Sequence, residues 1–343
     1  MIGCSFFIVF STYFIYNIYR KTHKSKFYFM NKMERCGVMK NIVFGGTTMS
    51  ELSDKIRSEF KKSDDERDAL LNTPEDIDRW DNIVYGHDDR EMQKLDVYRP
   101  KQAQGEELPV IISVHGGAWM YGDKERYQYY CMSLAQRGFA VVNFTYRLAP
   151  EYKFPAQLED LNLVCKWVMK RAGRFHFDTE RIFAVGDSAG AHLLGLYAGI
   201  CTNPAYASKY DFAVPEGFAL TAIALNCGVY RVLGKEPENM TVQIMKELLP
   251  EGGTEEELEN IDVLNGITDV YPPVFCMTSV ADFQKTQAPA LVQKLMENNV
   301  PFVYRVFGDK INKLGHVFHC DIKTIDAAQC NDAECDFFRE FCF

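Results

Sequence analysis

The stretch that decides the fold is RIFAVGDSAGAHLLGLYAGIC, residues 181–201. Residues 181–185 form a short apolar run typical of a buried strand, and residues 189–201 have the character of a helix. Between them GDSAG, residues 186–190, places a G-x-S-x-G motif on a strand-to-helix junction. There the turn is so sharp that the residues two before and two after the serine nearly touch, so both must be glycine. The motif therefore predicts Ser188 as a nucleophile.

A second glycine-rich turn, HGGAW at residues 115–119, directly follows the apolar run PVIISV at 109–114. When a serine attacks a carbonyl carbon, the carbonyl oxygen becomes an anion. Main-chain N–H groups aimed at that oxygen stabilise it by about 3–4 kcal/mol per donor. We expect Gly116 and Gly117 to supply two donors, and Ala189, the residue after the nucleophile, to supply a third.

Short apolar runs alternate with helical stretches through the rest of the chain. Continuous apolar strands separated by helices are typical of a parallel sheet covered by helices on both faces. We therefore predict an α/β fold, with strands at 93–98, 109–114, 139–146, 181–185, 220–226, 273–280 and 301–307 and helices at 157–171, 189–201 and 287–298.

The general base is sought among seven histidines. In the fold that carries a G-x-S-x-G turn, the nucleophile, the acid and the histidine follow one another along the chain. His316 lies in the loop after the last predicted strand, where the base is expected. His319, closer to the final helix, is expected to be structural. His115 is expected to hold the geometry of its own loop, and His192 to lie in the core.

The acid should follow the next-to-last strand, and Asp282 stands directly after residues 273–280. A carboxylate there can accept the second ring N–H of His316, which fixes its tautomer and stabilises the imidazolium formed on proton transfer. Asp309, in the loop before His316, is the competing candidate. Asp187, within the elbow, is expected to anchor the turn.

These segments resemble the hormone-sensitive-lipase-like branch of the α/β-hydrolases, a family of microbial carboxylesterases. The resemblance rests on HGGAW, GDSAG and YRLAPEYKFPAQLED (146–160), and it runs from about residue 93 to the C-terminus. The family pattern usually has a third glycine where this chain has Ala118. The resemblance implies an α/β-hydrolase fold and hydrolysis of a small-molecule ester. It also implies that residues 49–85 form a cap over the acyl pocket.

Two segments of the domain predicted at 49–343 stand apart from the sheet pattern. Within residues 49–85, Thr73 followed by Pro74 and two acidic residues predicts the start of a helix. Residues 230–270 are charged and helical in character, and we predict that they form a second cap insertion.

The N-terminal residues 1–48 form an apolar and basic leader. Residues 1–19 lack charge, and as a helix they would span roughly 28 Å, about one bilayer core. Two interpretations are open. The leader lies outside the fold, since hydrolase-like sequence begins only near Met49, or it anchors the enzyme to a membrane with the catalytic domain in the cytoplasm.

Composition excludes several other classes. The formal net charge is −9 and no Lys/Arg stripe is present, so nucleic acid is not an expected partner. The eleven cysteines include no CxxC pair and no zinc-type spacing, and scattered free thiols indicate a reducing, cytoplasmic compartment. No phosphate-binding or dinucleotide-binding motif occurs. We therefore predict no metal and no organic cofactor; the oligomeric state stays open.

Two alternative functions share this fold. An amide hydrolase of the arylformamidase kind uses a similar HGG-W loop and the same three residue types, but the YRLAPE segment favours the esterase branch. A non-catalytic ligand-binding protein of this fold would have lost the histidine. All three positions are filled here, which argues against that function.

Overall fold

One sheet of eight strands runs through the computed structural model, which describes residues 50–232 and 239–342. The strands, in chain order, are β1 (Ile77–Val84), β2 (Lys94–Pro100), β3 (Leu108–Val114), β4 (Ala140–Phe144), β5 (Phe177–Asp187), β6 (Ala222–Asn226), β7 (Val274–Ser279) and β8 (Phe302–Phe307). The helices are α1 (Glu51–Asp68), α2 (Lys124–Gln136), α3 (Ala156–Phe175), α4 (Ala189–Thr202), α5 (Pro204–Ala207), α6 (Met240–Leu248), α7 (Glu255–Asn260), α8 (Ala288–Glu297) and α9 (Ile325–Arg339).

The strand order is β1-β2-β4-β3-β5-β6-β7-β8, and every pair from β4 to β8 is parallel. Alternate side chains of a strand point to opposite faces of the sheet. Both faces of this sheet are buried. In β3, Val110 and Ile112 pack into one hydrophobic cluster while Ile111 packs into the other. The predicted α/β fold is confirmed. Since β5, β7 and β8 run parallel, the loops that follow them lie at one edge of the sheet.

The helix start predicted at Thr73 is wrong. Residues 77–84 form β1, which pairs antiparallel with β2, so β2 is not the outermost strand. Ile77 is buried in this strand and Trp80 meets Phe175 edge-on at 5.5 Å. Pairing with β2 and side-chain burial outweigh the local helix signal of Thr73-Pro74. Within residues 49–85, α1 is thus the segment left to act as a cap.

In the described part of residues 230–270, helices occupy Met240–Leu248 and Glu255–Asn260. Helix α6 buries Ile244, Met245 and Leu248 against the main core, and Thr254 and Glu257 form a capping box at the start of α7. That residues 230–270 act as a cap stays a prediction. The leader, residues 1–48, lies outside the described residues. Within the part that is described, no helix is both long and apolar enough to cross a bilayer.

Candidate active site

Ser188 occupies a strained turn between β5 and α4. Its φ of 51° and ψ of −115° lie in a region that costs free energy for any residue but glycine. A Cβ on Gly186 would stand 2.6 Å from the carbonyl oxygen of Gly190, and a Cβ on Gly190 would collide with the main chain of Val114. The steric reason for both glycines is therefore present. The Ser188 N–H donates to the carbonyl of Asn226 at 2.9 Å, which ties the turn to the end of β6.

Asp282 and His316 are joined side chain to side chain. Nδ1 of His316 lies 2.7 Å from Oδ1 of Asp282, and the Thr278 hydroxyl donates to the other carboxylate oxygen at 2.8 Å. Burial raises the pKa of Asp282, but the hydrogen bond from His316 and its charge outweigh burial, so the pKa is lowered from its ordinary value. An ionised carboxylate in this position holds the histidine with Nε2 free to face a substrate.

The competing acid does not take part. Asp309 is exposed and accepts the main-chain N–H groups of Ile311 and Asn312, so it closes its own loop. His319 is fully buried beside the ring of Tyr130, and burial lowers its pKa to about 3. A fully buried histidine with so low a pKa accepts a proton poorly, which argues against His319 as the base.

The elbow and the acid–histidine pair are brought to one place, although no hydrogen bond joins the Ser188 hydroxyl to His316 among the described residues. Cys227 follows Asn226, the acceptor of the Ser188 N–H, and its sulfur lies within 4.8 Å of ligand atoms of both Asp282 and His316. Catalytic hydrogen bonds are often long without substrate and tighten when it binds.

The same three groups, Cys227, Asp282 and His316, are spaced as metal ligands would be. Burial raises the pKa of the Cys227 thiol well above its ordinary value, whereas a metal binds the thiolate. Nδ1 of His316 is already engaged by Asp282. The donor set therefore suits an acid–base pair better than a metal centre.

Gly116 differs from the expectation. Its N–H donates to the hydroxyl of Tyr127 at 3.0 Å, and that hydroxyl donates to Asp187 at 2.8 Å. An amide committed to a buried tyrosine is not open to a substrate oxygen, which argues against Gly116 as an oxyanion donor. Among the residues that the structure describes, the main-chain N–H groups of Gly117, Ala118 and Ala189 donate no hydrogen bond. These three are the better candidates.

The turn is also shaped by its own backbone. Gly117 has φ +111°, and a Cβ there would collide with the carbonyl of Tyr121. Ala118 and Trp119 both have positive φ, 53° and 59°. His115 supports the turn from below: its ring stacks on Tyr146 at 3.9 Å and contacts the carbonyl of Gly116 through Nδ1 at 2.7 Å. Burial lowers the pKa of His115 to about 4, so it stays neutral.

Sequence reasoning missed a further set of supporting residues. Arg57 of α1 donates to the carbonyl of Met120 at 2.8 Å, and Tyr121 donates to Asp64 of the same helix at 2.9 Å. Glu334 of α9 is fully buried and accepts from Tyr130 at 2.8 Å and from the Asn226 amide at 2.6 Å. No local pattern marks these residues, because their partners lie far away in the chain.

Known proteins with similar sequences include one family model and several esterases. A family model described as BD-FAE matches residues 95–295. Esterase LipC of Mycobacterium tuberculosis is 33% identical over 149 residues, which cover 43% of this chain and 35% of LipC. Arylacetamide deacetylase of Bos taurus is 37% identical over 107 residues, covering 30% of this chain and 27% of that protein. The matched part thus spans about a third or less of these relatives.

A solved structure gives the likeness in three dimensions. The C6-C4 SN3-inhibited esterase B of Lactobacillus rhamnosis superimposes with a TM-score of 0.76 and 23% sequence identity. The match covers 85% of this chain and 97% of esterase B. It bears on the fold, and the α/β-hydrolase resemblance predicted from the sequence is confirmed.

Proposed function

Because the chain belongs to the BD-FAE family and has the α/β-hydrolase fold, we propose that it is a serine carboxylesterase for small esters with short- to medium-chain acyl groups. The observation that carries the proposal is the 2.7 Å contact between His316 and Asp282 at the sheet edge that also presents Ser188. The names of LipC and esterase B support ester hydrolysis.

The reaction has two steps. Ser188 Oγ attacks the ester carbonyl carbon while Nε2 of His316 takes the hydroxyl proton, and the carbonyl oxygen turns towards the amides of Gly117, Ala118 and Ala189. The intermediate then expels the alcohol, which leaves with the proton from His316. Water attacks the acyl-serine with His316 again as base, and the carboxylic acid is released. Asp282 stabilises the imidazolium in both steps.

The test compares the wild-type protein with Ser188→Ala on p-nitrophenyl acetate and butyrate. We expect kcat to fall by several orders of magnitude in the variant, since only binding and the oxyanion amides remain. A fluorophosphonate probe should label the wild-type protein and leave the variant unlabelled. Equal labelling of the two proteins would overturn the assignment of Ser188.

An amide substrate is the second candidate, because one relative is named for deacetylation of arylacetamides. Ser188 and His316 could cleave either an ester or an amide bond. The two substrates differ in the leaving group, an alcohol or an amine. Acetanilide and phenyl acetate share an acyl group and a ring, so the ratio of their kcat/KM values separates the two functions. We expect phenyl acetate to be the better substrate.

The leader is proposed to lie outside the catalytic unit. Removing residues 1–48 should leave kcat/KM unchanged, and loss of activity would place the leader in the cap. All nine cysteines in the described part of the chain are free thiols, which supports a reducing, cytoplasmic location for the catalytic domain.

A further inference from the structure

Phe283 stands next to the catalytic pair in a position that the fold does not require. It follows Asp282 directly, and its ring centroid lies 4.2 Å from that of His316, with the two planes tilted by 39°. The residue is nevertheless 70% exposed, whereas Asp282 is buried. A large apolar side chain in water gains nothing from burial, so core packing does not explain its place.

The contact covers a face of the imidazole. Nδ1 of His316 points to Asp282, and a ring tilted over the imidazole face leaves the Nε2 edge free for proton transfer. Phe283 therefore lies beside the imidazole whose Nε2 is left for proton transfer, at a ring-centroid distance of 4.2 Å. A group held at Nε2 comes within reach of the exposed phenyl ring.

The chemistry decides which part of an ester occupies that space. His316 must hand its proton to the departing alkoxide, so the alcohol oxygen lies within hydrogen-bond distance of Nε2. The acyl carbonyl points the other way, towards the amides of Gly117 and Ala118. A side chain stacked on the histidine thus meets the alcohol part of the substrate.

We propose, on the basis of the esterase function above, that Phe283 is a specificity-determining residue that selects esters of aromatic alcohols through ring contact with the leaving group. Aromatic rings prefer offset or edge-on partners, and a pair of this kind corresponds to about a two- to tenfold preference. Phe283 can also stabilise the imidazolium of His316, but that effect would raise the rate for every ester alike.

The experiment measures kcat/KM for ethyl, cyclohexylmethyl and benzyl acetate, which share one acyl group and differ in the alcohol. Phe283→Ala should lower the benzyl-to-ethyl ratio about two- to tenfold. Phe283→Tyr keeps the ring and should retain the ratio, while Phe283→Leu should lose the preference for benzyl over cyclohexylmethyl. Ile325→Ala removes an exposed apolar side chain at the start of α9 and is the matched control; its ratios should equal those of the wild-type protein.

An unchanged benzyl-to-ethyl ratio in Phe283→Ala would overturn the inference. If kcat/KM also fell equally for all three esters, the ring would only support the histidine. The ratio of ethyl butyrate to ethyl acetate should not move, because Phe283 is not on the acyl side. Absence of Ser188-dependent hydrolysis for all the esters would instead reject the esterase function, and this inference with it.

Discussion

The side chain of Arg57 donates from Nε to the main-chain oxygen of Met120 at 2.8 Å, across 63 residues of sequence. Its remaining nitrogens bind the carboxylate of Glu151 at 2.7 and 2.6 Å and the carbonyl of Ala149 at 3.1 Å. The planar guanidinium thus fastens helix α1 to the turn that carries the candidate oxyanion amides. The segment predicted as a cap is thus also tied to the turn of the candidate oxyanion amides.

Arg57→Ala should lower kcat on the order of tenfold, because small displacements of groups that stabilise the transition state reduce the rate more than the binding of substrate. Arg57→Lys cannot reproduce the two-pronged contact with Glu151, so its kcat should lie between the values for the wild-type protein and Arg57→Ala. Lys61→Ala, on the exposed side of the same helix, should leave kcat unchanged. A folded Arg57→Ala protein with wild-type kcat would contradict a role for α1 in shaping the turn.

Substitution of His316 and of His319 should have clearly different effects on kcat. His316→Ala should reduce kcat about as much as Ser188→Ala, since members of such a triad act as a unit. His319→Ala should lower the melting temperature, because a buried ring packed on Tyr130 is lost, yet keep kcat within about tenfold. Steady-state kinetics and thermal unfolding of both variants check this. The reverse order of kcat would show that His319 is the base.

Tyr127→Phe tests the role of Gly116. The substitution removes the hydroxyl that accepts from Gly116 and donates to Asp187, leaving two buried polar groups without their partner. We expect a loss of stability of about 1–3 kcal/mol and a lower kcat through distortion of the turn. Tyr129→Phe, on the same helix but half-buried, is the control and should be milder. A rise in kcat would mean that the freed Gly116 amide does serve the oxyanion.

Glu334 predicts a dependence of stability on pH. Burial raises the pKa of its carboxyl from 4.5 to about 7, against the hydrogen bonds from Asn226 and Tyr130. Between those two values the folded state binds more protons than the unfolded state, so the contribution to stability is present below pH 4.5 and is lost as pH rises to 7.

Glu334→Gln mimics the protonated acid and cannot titrate. The free energy of unfolding of this variant relative to wild type should therefore rise by up to about 3 kcal/mol between pH 4.5 and pH 8. Urea unfolding at both pH values measures the difference. Glu340→Gln, an exposed carboxyl at the end of the same helix, is the control. A difference independent of pH would show that folding does not raise the pKa of Glu334.

Acyl length should be limited by the small apolar surface of α1. Phe60 is exposed and meets Tyr121 edge-on, and the exposed Leu70 lies beyond the helix end. Each buried methylene contributes only about 0.8 kcal/mol, and a narrow, partly polar lid offers few sites for them. With p-nitrophenyl esters we expect kcat/KM to peak at roughly two to six acyl carbons and to fall beyond about eight. A steady rise through long chains, or a jump above the micellar threshold, would indicate a lipase.

Local sterics and chain order were enough to predict the three residues of the candidate site. The spacing of Gly186 and Gly190 around Ser188 follows from one sharp turn, which depends on no distant residue. Asp282 and His316 each follow a parallel strand, and parallel strands end at the same edge of the sheet. Their 2.7 Å contact is therefore implied once the strands are recognised.

Tertiary structure alone decided which groups support that site. Whether the Gly116 amide is open depends on Tyr127 from a neighbouring helix, and the shape of the turn depends on Arg57, far away in the chain. Residues 77–84 became a strand because β2 offered unpaired main-chain groups, against a local signal for a helix. Hydrogen-bond partners and burial depend on residues that are distant in the chain, so a short window of sequence cannot predict them.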